Sequence, residues 1–281
     1  MSCNYRIVVD SCCDLEEQYR SDERFGFVPL SIQVGDATII DDETFDQADL
    51  IKKIAECPEG PKSACPSPEA YMEEYNKAED HVFVVTLSSK LSGSYNSAVL
   101  AANLFEETHG RALKIHVVDS ESASVGEVQI AMELLRLEEE GHSFEEIVEL
   151  IENFRDSVKT YFVLNTLETF IKSGRISGIK AMVATTLNIK PVLIGVKGGI
   201  EQLDQAIGMR KALSKMVEHV VNDLKGRADR CLMISHCNAP ERAMKIRDMI
   251  LEKAKFLKVV IVDMHGISTM YANEGGIIVT V

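Results

Sequence analysis

Apolar runs and amphipathic segments alternate along the first half of the chain. Residues 5–9 (Tyr-Arg-Ile-Val-Val) form an apolar run that stops at Asp10-Ser11. Residues 82–86 (Val-Phe-Val-Val-Thr) and 115–118 (Ile-His-Val-Val) repeat the pattern, the last stopping at Asp119-Ser120. Short, mainly apolar runs bounded by polar residues predict buried strands. Phe27–Val34 predicts a further extended segment, with Pro29 placing it near an edge or a strand start. Helices are predicted from Ser67, an N-cap followed by Pro68, over 98–105, over 123–140, and from Ser143, which has Glu146 at the capping-box spacing. This alternation predicts a largely parallel sheet covered by helices.

After the polar stretch Arg155–Thr160 the pattern changes. Residues 161–164, 191–196, 231–235 and 259–262 are strand-like. Leu213, Met216, Val217, Val220, Val221 and Leu224 form a helical stripe. Asn238, ahead of Pro240 and Glu241, predicts a helix cap, with Ala243, Ile246, Met249 and Ile250 as the buried face. The expectation is an α/β protein of two domains. Residues 1–156 carry a mostly parallel sheet flanked by helices, residues 157–281 form an α+β domain, and a ligand cleft lies between them.

Thr86–Ala98 holds Ser88, Ser89, Ser92, Gly93 and Ser94 between a strand end and a helix start. In open α/β sheets ligands bind at such strand ends. A helix start also offers unpaired N–H groups to an anion. A hydroxyl-rich cap without any ligand fits the same residues. Lys62–Ser67 is a polar loop whose Ser63 can add a hydroxyl. Its Cys65 has no evident histidine partner, so it reads as an inert small residue. Gly174-Arg175-Ile-Ser-Gly178 presents a guanidinium suited to a carboxylate or phosphate, or to a surface ion pair.

The net charge of −14 argues against nucleic acid and against docking on an anionic membrane. Seven cysteines without a C-x-x-C pair fit a reduced, cytoplasmic protein. No apolar run is long enough to span a bilayer. The seven histidines show no metal-ligand spacing, and the nucleophile-elbow, P-loop and dinucleotide motifs are absent. The expectation is therefore no metal and no cofactor.

Five segments together resemble the DegV family, the bacterial fatty-acid-binding proteins that partner a fatty acid kinase. They are Val9–Leu15, Lys62–Ser67, Leu87–Ala98, Val118–Ser120, and Ser173-Gly-Arg-Ile176 followed by Ile189–Pro191. The resemblance implies a long-chain fatty acid in a tunnel between two domains, its carboxylate held by hydroxyls that fall on Ser63 and Ser92. Gly93, Ser94 and Arg175 would support the head group. A fatty acid kinase would be the protein partner, and the chain itself a carrier rather than an enzyme. Two departures stand out. Ser63-Ala-Cys replaces the usual Thr-Ser-Gln, and Ala272 stands where many members have a histidine by the carboxylate. Asn273 is then the candidate polar replacement. The competing expectation is an enzyme acting on an acyl or phosphoryl group, with Ser92 as nucleophile and His236 or His265 as base.

Overall fold

The computed structural model describes residues 3–176, 188–226 and 228–281. Ser177 and Gly178, part of the arginine segment, lie outside the described residues.

Four parallel strands form the first sheet, in the order β2 (Phe25–Val28), β1 (Cys3–Asp10), β6 (Ala78–Thr86), β7 (Lys114–Asp119). Their side chains alternate between two apolar layers. Val8, Val82 and Val84 face α3 (Pro68–Tyr75) and α4 (Ser94–His109), meeting Tyr71, Tyr75, Ala98 and Phe105. Ile7, Val9, Phe83 and Val85 face α5 (Val125–Glu139) and α6 (Phe144–Ser157). Each strand is covered on both faces, which is why it reads as an unbroken apolar run. Ser67 caps α3, and Ser143 with Glu146 closes a capping box on α6.

A six-stranded mixed sheet follows, in the order β10 (Gly199–Ile207), β9 (Ile189–Val196), β8 (Thr160–Val163), β13 (Ile277–Thr280), β11 (Cys231–His236), β12 (Lys258–Asp263). Only β11 and β12 run parallel. One face packs on α8 (Met209–Leu224) and α9 (Pro240–Leu251), through Tyr161, Val163, Leu232, Ile234 and Val279. The other face turns Phe162, Leu193, Met233 and Ile278 toward α5. So α5 lies between the sheets, and it is buried nearly all round, including Glu127 and Gln129. The boundary expected at 156/157 falls in the last turn of α6.

The structure differs from the sequence reading in three places. Phe27–Val34 is two strands broken at Pro29. β2 joins the parallel sheet, while β3 (Ser31–Val34) forms an antiparallel sheet with β4 (Ala37–Ile40) and β5 (Lys62–Ala64). Lys62–Ser67 is therefore a strand at its start rather than a loop throughout. Asn238 is not the α9 cap: it adopts φ 46° and donates to Glu274, and Ala239 takes the cap position. The remaining helices are short: α1 (Glu17–Arg20), α7 (Glu168–Ser173) and α10 (Gly266–Ala272), with α2 (Gln47–Glu56) packed on α10. Among the described residues no helix is long and apolar enough to cross a membrane.

Candidate functional site

A cavity of about 280 Å³ lies where the three sheets meet. Its wall is largely apolar and drawn from both halves of the chain, with Leu87 on one side and Phe162, Leu164, Phe170, Ile267 and Ile278 on the other. Ser63, Ser92, Gly93 and Arg175 all line it. Ser94 does not; it is buried directly behind Ser92.

The serine turn is built by the strand ends around it. Asp10 at the end of β1 is fully buried and accepts from the N–H groups of Leu87 and Cys12, at 2.9 and 3.1 Å. Asp119 at the end of β7 accepts from the N–H of Ser89 at 3.0 Å. The Ser88 hydroxyl donates to the carbonyl of Gly198 at 2.7 Å, tying the turn to the β9–β10 hairpin. Asp10-Ser11, Ser88-Ser89 and Asp119-Ser120, each just past or at the end of a strand, gather at one rim of the parallel sheet. Both carboxylates, Asp10 and Asp119, serve the turn's backbone rather than lining the cavity. The Ser92 hydroxyl accepts from the Ser94 N–H at 3.2 Å and lies 2.9 Å from the Ser94 hydroxyl, the local side-chain turn that serines favour at a helix start. A side chain at Gly93 would place its Cβ 2.9 Å from the Cys65 Sγ, so glycine lets the turn lie against β5 and brings Ser63 and Ser92 to one cavity.

Ser63 reaches that wall from β5, in register with Ile32. Its hydroxyl is 3.4 Å from the hydroxyl of Tyr271, a residue that the sequence reading did not single out. Ala272 also lines the cavity, contributing a methyl group. Asn273 does not line it. Its amide donates to Thr169 and to the carbonyl of Tyr271, so it is not the polar replacement. Cys65 lines the cavity as an exposed free thiol.

Gly174 ends α7 with φ 77°, which turns the chain so that the Arg175 N–H donates to the Phe170 carbonyl at 3.1 Å. The guanidinium donates to the carbonyls of Leu91 and Ser173. Arg175 also lines a polar recess with Lys90, and this recess shares Leu91, Arg175, Gly199 and Ile200 with the cavity. Two cations, Arg175 and Lys90, therefore line the recess beside the cavity in an acidic protein.

The histidines take no part in the cavity wall. His236 pairs with Asp263, and His265 is the N-cap of α10 with its ring against Phe45. Neither is brought to Ser92, whose side-chain partners are the hydroxyl and N–H of Ser94. Among the described residues no cluster could hold a metal ion.

The sequence profile of the DegV family, described as uncharacterised proteins, matches residues 4–280. The chain belongs to the DegV family. A DegV domain-containing protein of Streptococcus gordonii is 36% identical over 278 residues, spanning 98% of this chain and 97% of that one. The crystal structure of a DegV family protein from Ruminococcus gnavus, refined with vaccenic acid, superposes with a TM-score of 0.95. The two are 46% identical over 99% of each chain. The fatty acid kinase (Fak) B3 protein of Streptococcus pneumoniae, loaded with linoleic acid, superposes with a TM-score of 0.86. It is 33% identical, over 99% of this chain and 98% of that one. Both of these DegV neighbours are described with a bound fatty acid.

Behind the serine turn this DegV chain buries three carboxyl groups. Burial pushes Asp10 up to about 6, against the N–H groups of Leu87 and Cys12 that favour its charged form. Burial pushes Asp14 up to about 7, against hydrogen bonds from the Ser124 hydroxyl and the His265 N–H. Burial, reinforced by Asp10 and Asp14, raises Glu127 as well. The folded state therefore holds protons that the unfolded chain releases near pH 4, and this contribution to stability falls as pH rises toward 7. A site protonated only in the folded state changes stability by about 1.4 kcal/mol per pH unit. His265 acts oppositely. Burial lowers it to about 4, so its contribution is lost as pH falls below the unfolded value near 6.5. His81 has the same sign as the carboxyls: burial lowers it, but Glu138 and Asp80 outweigh that and raise it overall.

The thermal midpoint is thus expected to be higher at pH 6 than at pH 8. Asp14→Asn, which keeps an acceptor for the His265 N–H and leaves His81 intact, should reduce that difference measurably. An unchanged difference in the variant would mean that Asp14 is already ionised in the fold.

Proposed function

We propose that this chain binds one long-chain fatty acid in the cavity and presents its carboxylate to a fatty acid kinase. The observation that carries the reading is a largely apolar cavity into which the hydroxyls of Ser63 and Ser92 are brought from two different elements, beside those of Ser122, Ser124, Thr160 and Ser268. Burying each CH₂ is worth about 0.8 kcal/mol, so the chain supplies the affinity. The carboxylate must be hydrogen-bonded where it leaves water, which is the task of Ser63 and Ser92. Gly93 permits the close approach, Ser94 supports Ser92 from behind, and Arg175 stands at the polar side. The unit formed by residues 1–156 supplies the serine turn and the unit 157–281 supplies most of the apolar wall. The fatty acids carried by the R. gnavus and S. pneumoniae relatives support this reading, as does the name of the latter for the kinase step.

Native mass spectrometry of protein purified from bacterial cells tests it. The expected spectrum shows a species heavier by one long-chain fatty acid, converted to the lighter form on delipidation and restored by added oleic acid. Protein that is always empty and takes up no added fatty acid would sink the proposal.

A further inference from the structure

Tyr271 combines three properties that the head-group reading leaves unused. It lines the cavity beside Ser63 and Ala272. Its hydroxyl is 3.4 Å from the Ser63 hydroxyl, longer than an O–H···O bond of ordinary strength. The two hydroxyls are thus neighbours joined by no more than a weak hydrogen bond, which a stronger acceptor such as a carboxylate oxygen can replace. Its ring is fixed, with the centroid 4.7 Å from that of Phe170, another cavity residue. The short helix that carries it is anchored at its start, where Asp41 accepts from the N–H groups of Gly266 and Ile267 at 2.7 and 2.9 Å. The phenol is therefore held in place before any ligand arrives, so little side-chain freedom is lost on binding.

We infer that Tyr271 is a third head-group ligand, its hydroxyl donating with Ser63 to a carboxylate oxygen of the bound fatty acid. The inference rests on the reading given under the proposed function, and adds a donor contributed by the C-terminal half of the chain. A carboxylate has acceptor sites for several donors, so a phenol and two serine hydroxyls can be satisfied together. A phenol donates without bringing positive charge. The head group would then be gripped by neutral donors alone, leaving Arg175 outside the grip.

Tyr271→Phe removes the hydroxyl and keeps the ring that packs against Phe170, which separates donation from packing. The experiment measures the affinity of wild type, Tyr271→Phe and Ser92→Ala for oleic acid and for oleyl alcohol. A hydrogen bond to a charged group is worth about 10- to 150-fold in affinity. Tyr271→Phe is therefore expected to weaken oleic acid binding on the order of 10-fold or more, and oleyl alcohol binding distinctly less, so that the preference for the acid falls. Equal losses for both ligands would show that the residue only packs, and would overturn the inference. Unchanged acid affinity in Tyr271→Phe, with affinity lost in Ser92→Ala, would overturn it too while leaving the carrier reading intact. Wild-type protein that binds neither ligand would remove both.

Discussion

The Ser63→Ala, Ser92→Ala double variant is expected to bind a long-chain fatty acid on the order of 100-fold more weakly than wild type. Each hydroxyl lines the cavity from a different element, one from β5 and one from the turn before α4. A hydrogen bond to a charged group contributes about 1.5–3 kcal/mol, roughly 10- to 150-fold in affinity. The two losses will not simply add, because both hydroxyls serve one carboxylate and either can partly cover for the other. Ser92 also accepts from the Ser94 N–H, so its loss loosens the turn slightly. Thermal unfolding of the variants without ligand separates that effect from lost recognition. Displacement of a fluorescent fatty acid gives the affinity. Wild-type affinity in a folded double variant would mean that the carboxylate lies elsewhere in the cavity.

The second large effect concerns Arg175. Arg175→Ala should leave fatty acid affinity within a few-fold of wild type and reduce phosphorylation by a cognate kinase by about 10-fold or more. An acyl phosphate carries more charge and more acceptor oxygens than a carboxylate, and a guanidinium engages two oxygens at once. Lysine should restore only part of the turnover, since it lacks the planar fork. Arg175 and Lys90 line one recess beside the cavity, so the proposed kinase step would have two cations near the head group. Equal, small losses in binding and turnover would reduce Arg175 to what its hydrogen bonds alone describe, a clamp on the carbonyls of Leu91 and Ser173. A wild-type chain without turnover would mark a carrier uncoupled from that kinase.

Much of the first half is legible in the sequence because its strands are buried on both faces. Ile7, Val8 and Val9 point to alternate layers and all are fully buried, so no polar residue interrupts the run. The six-stranded sheet is harder. β10 turns Gln202 and Asp204 inward, where Asp204 pairs with Lys215 and His219 of α8, and turns Leu203 and Ile207 outward. An edge strand with its polarity reversed gives no alternation to read. β3, β4 and β5 are only three or four residues long, too short for periodicity to register. At the site, Ser63 and Ser92 stand out as hydroxyls beside a strand end or a helix start. Tyr271 does not, because its significance is a contact made across 208 residues of sequence. That His236 and His265 stay out of the cavity wall is equally illegible: ending a strand says nothing about which side of the sheet the next turn will take.

One apolar cluster runs from Ile7 and Phe83 through α5 to Phe162, Met233 and Ile278 without a break. Hydroxyl pairs stitch its margin, Ser122 to Thr160 and Ser124 to Ser235, each at 2.7 Å. Ser122, Ser124 and Thr160 also face the cavity. The two halves are therefore poor candidates for exchange as cassettes. A C-terminal half transplanted from a relative would bring its own complement to α5, and a mismatch there would be felt as a void or an overlap in the core. Changes that adapt the cavity to a different acyl chain would then have to arise together on both sides of α5, so that ligand preference and foldability drift as a single inherited trait.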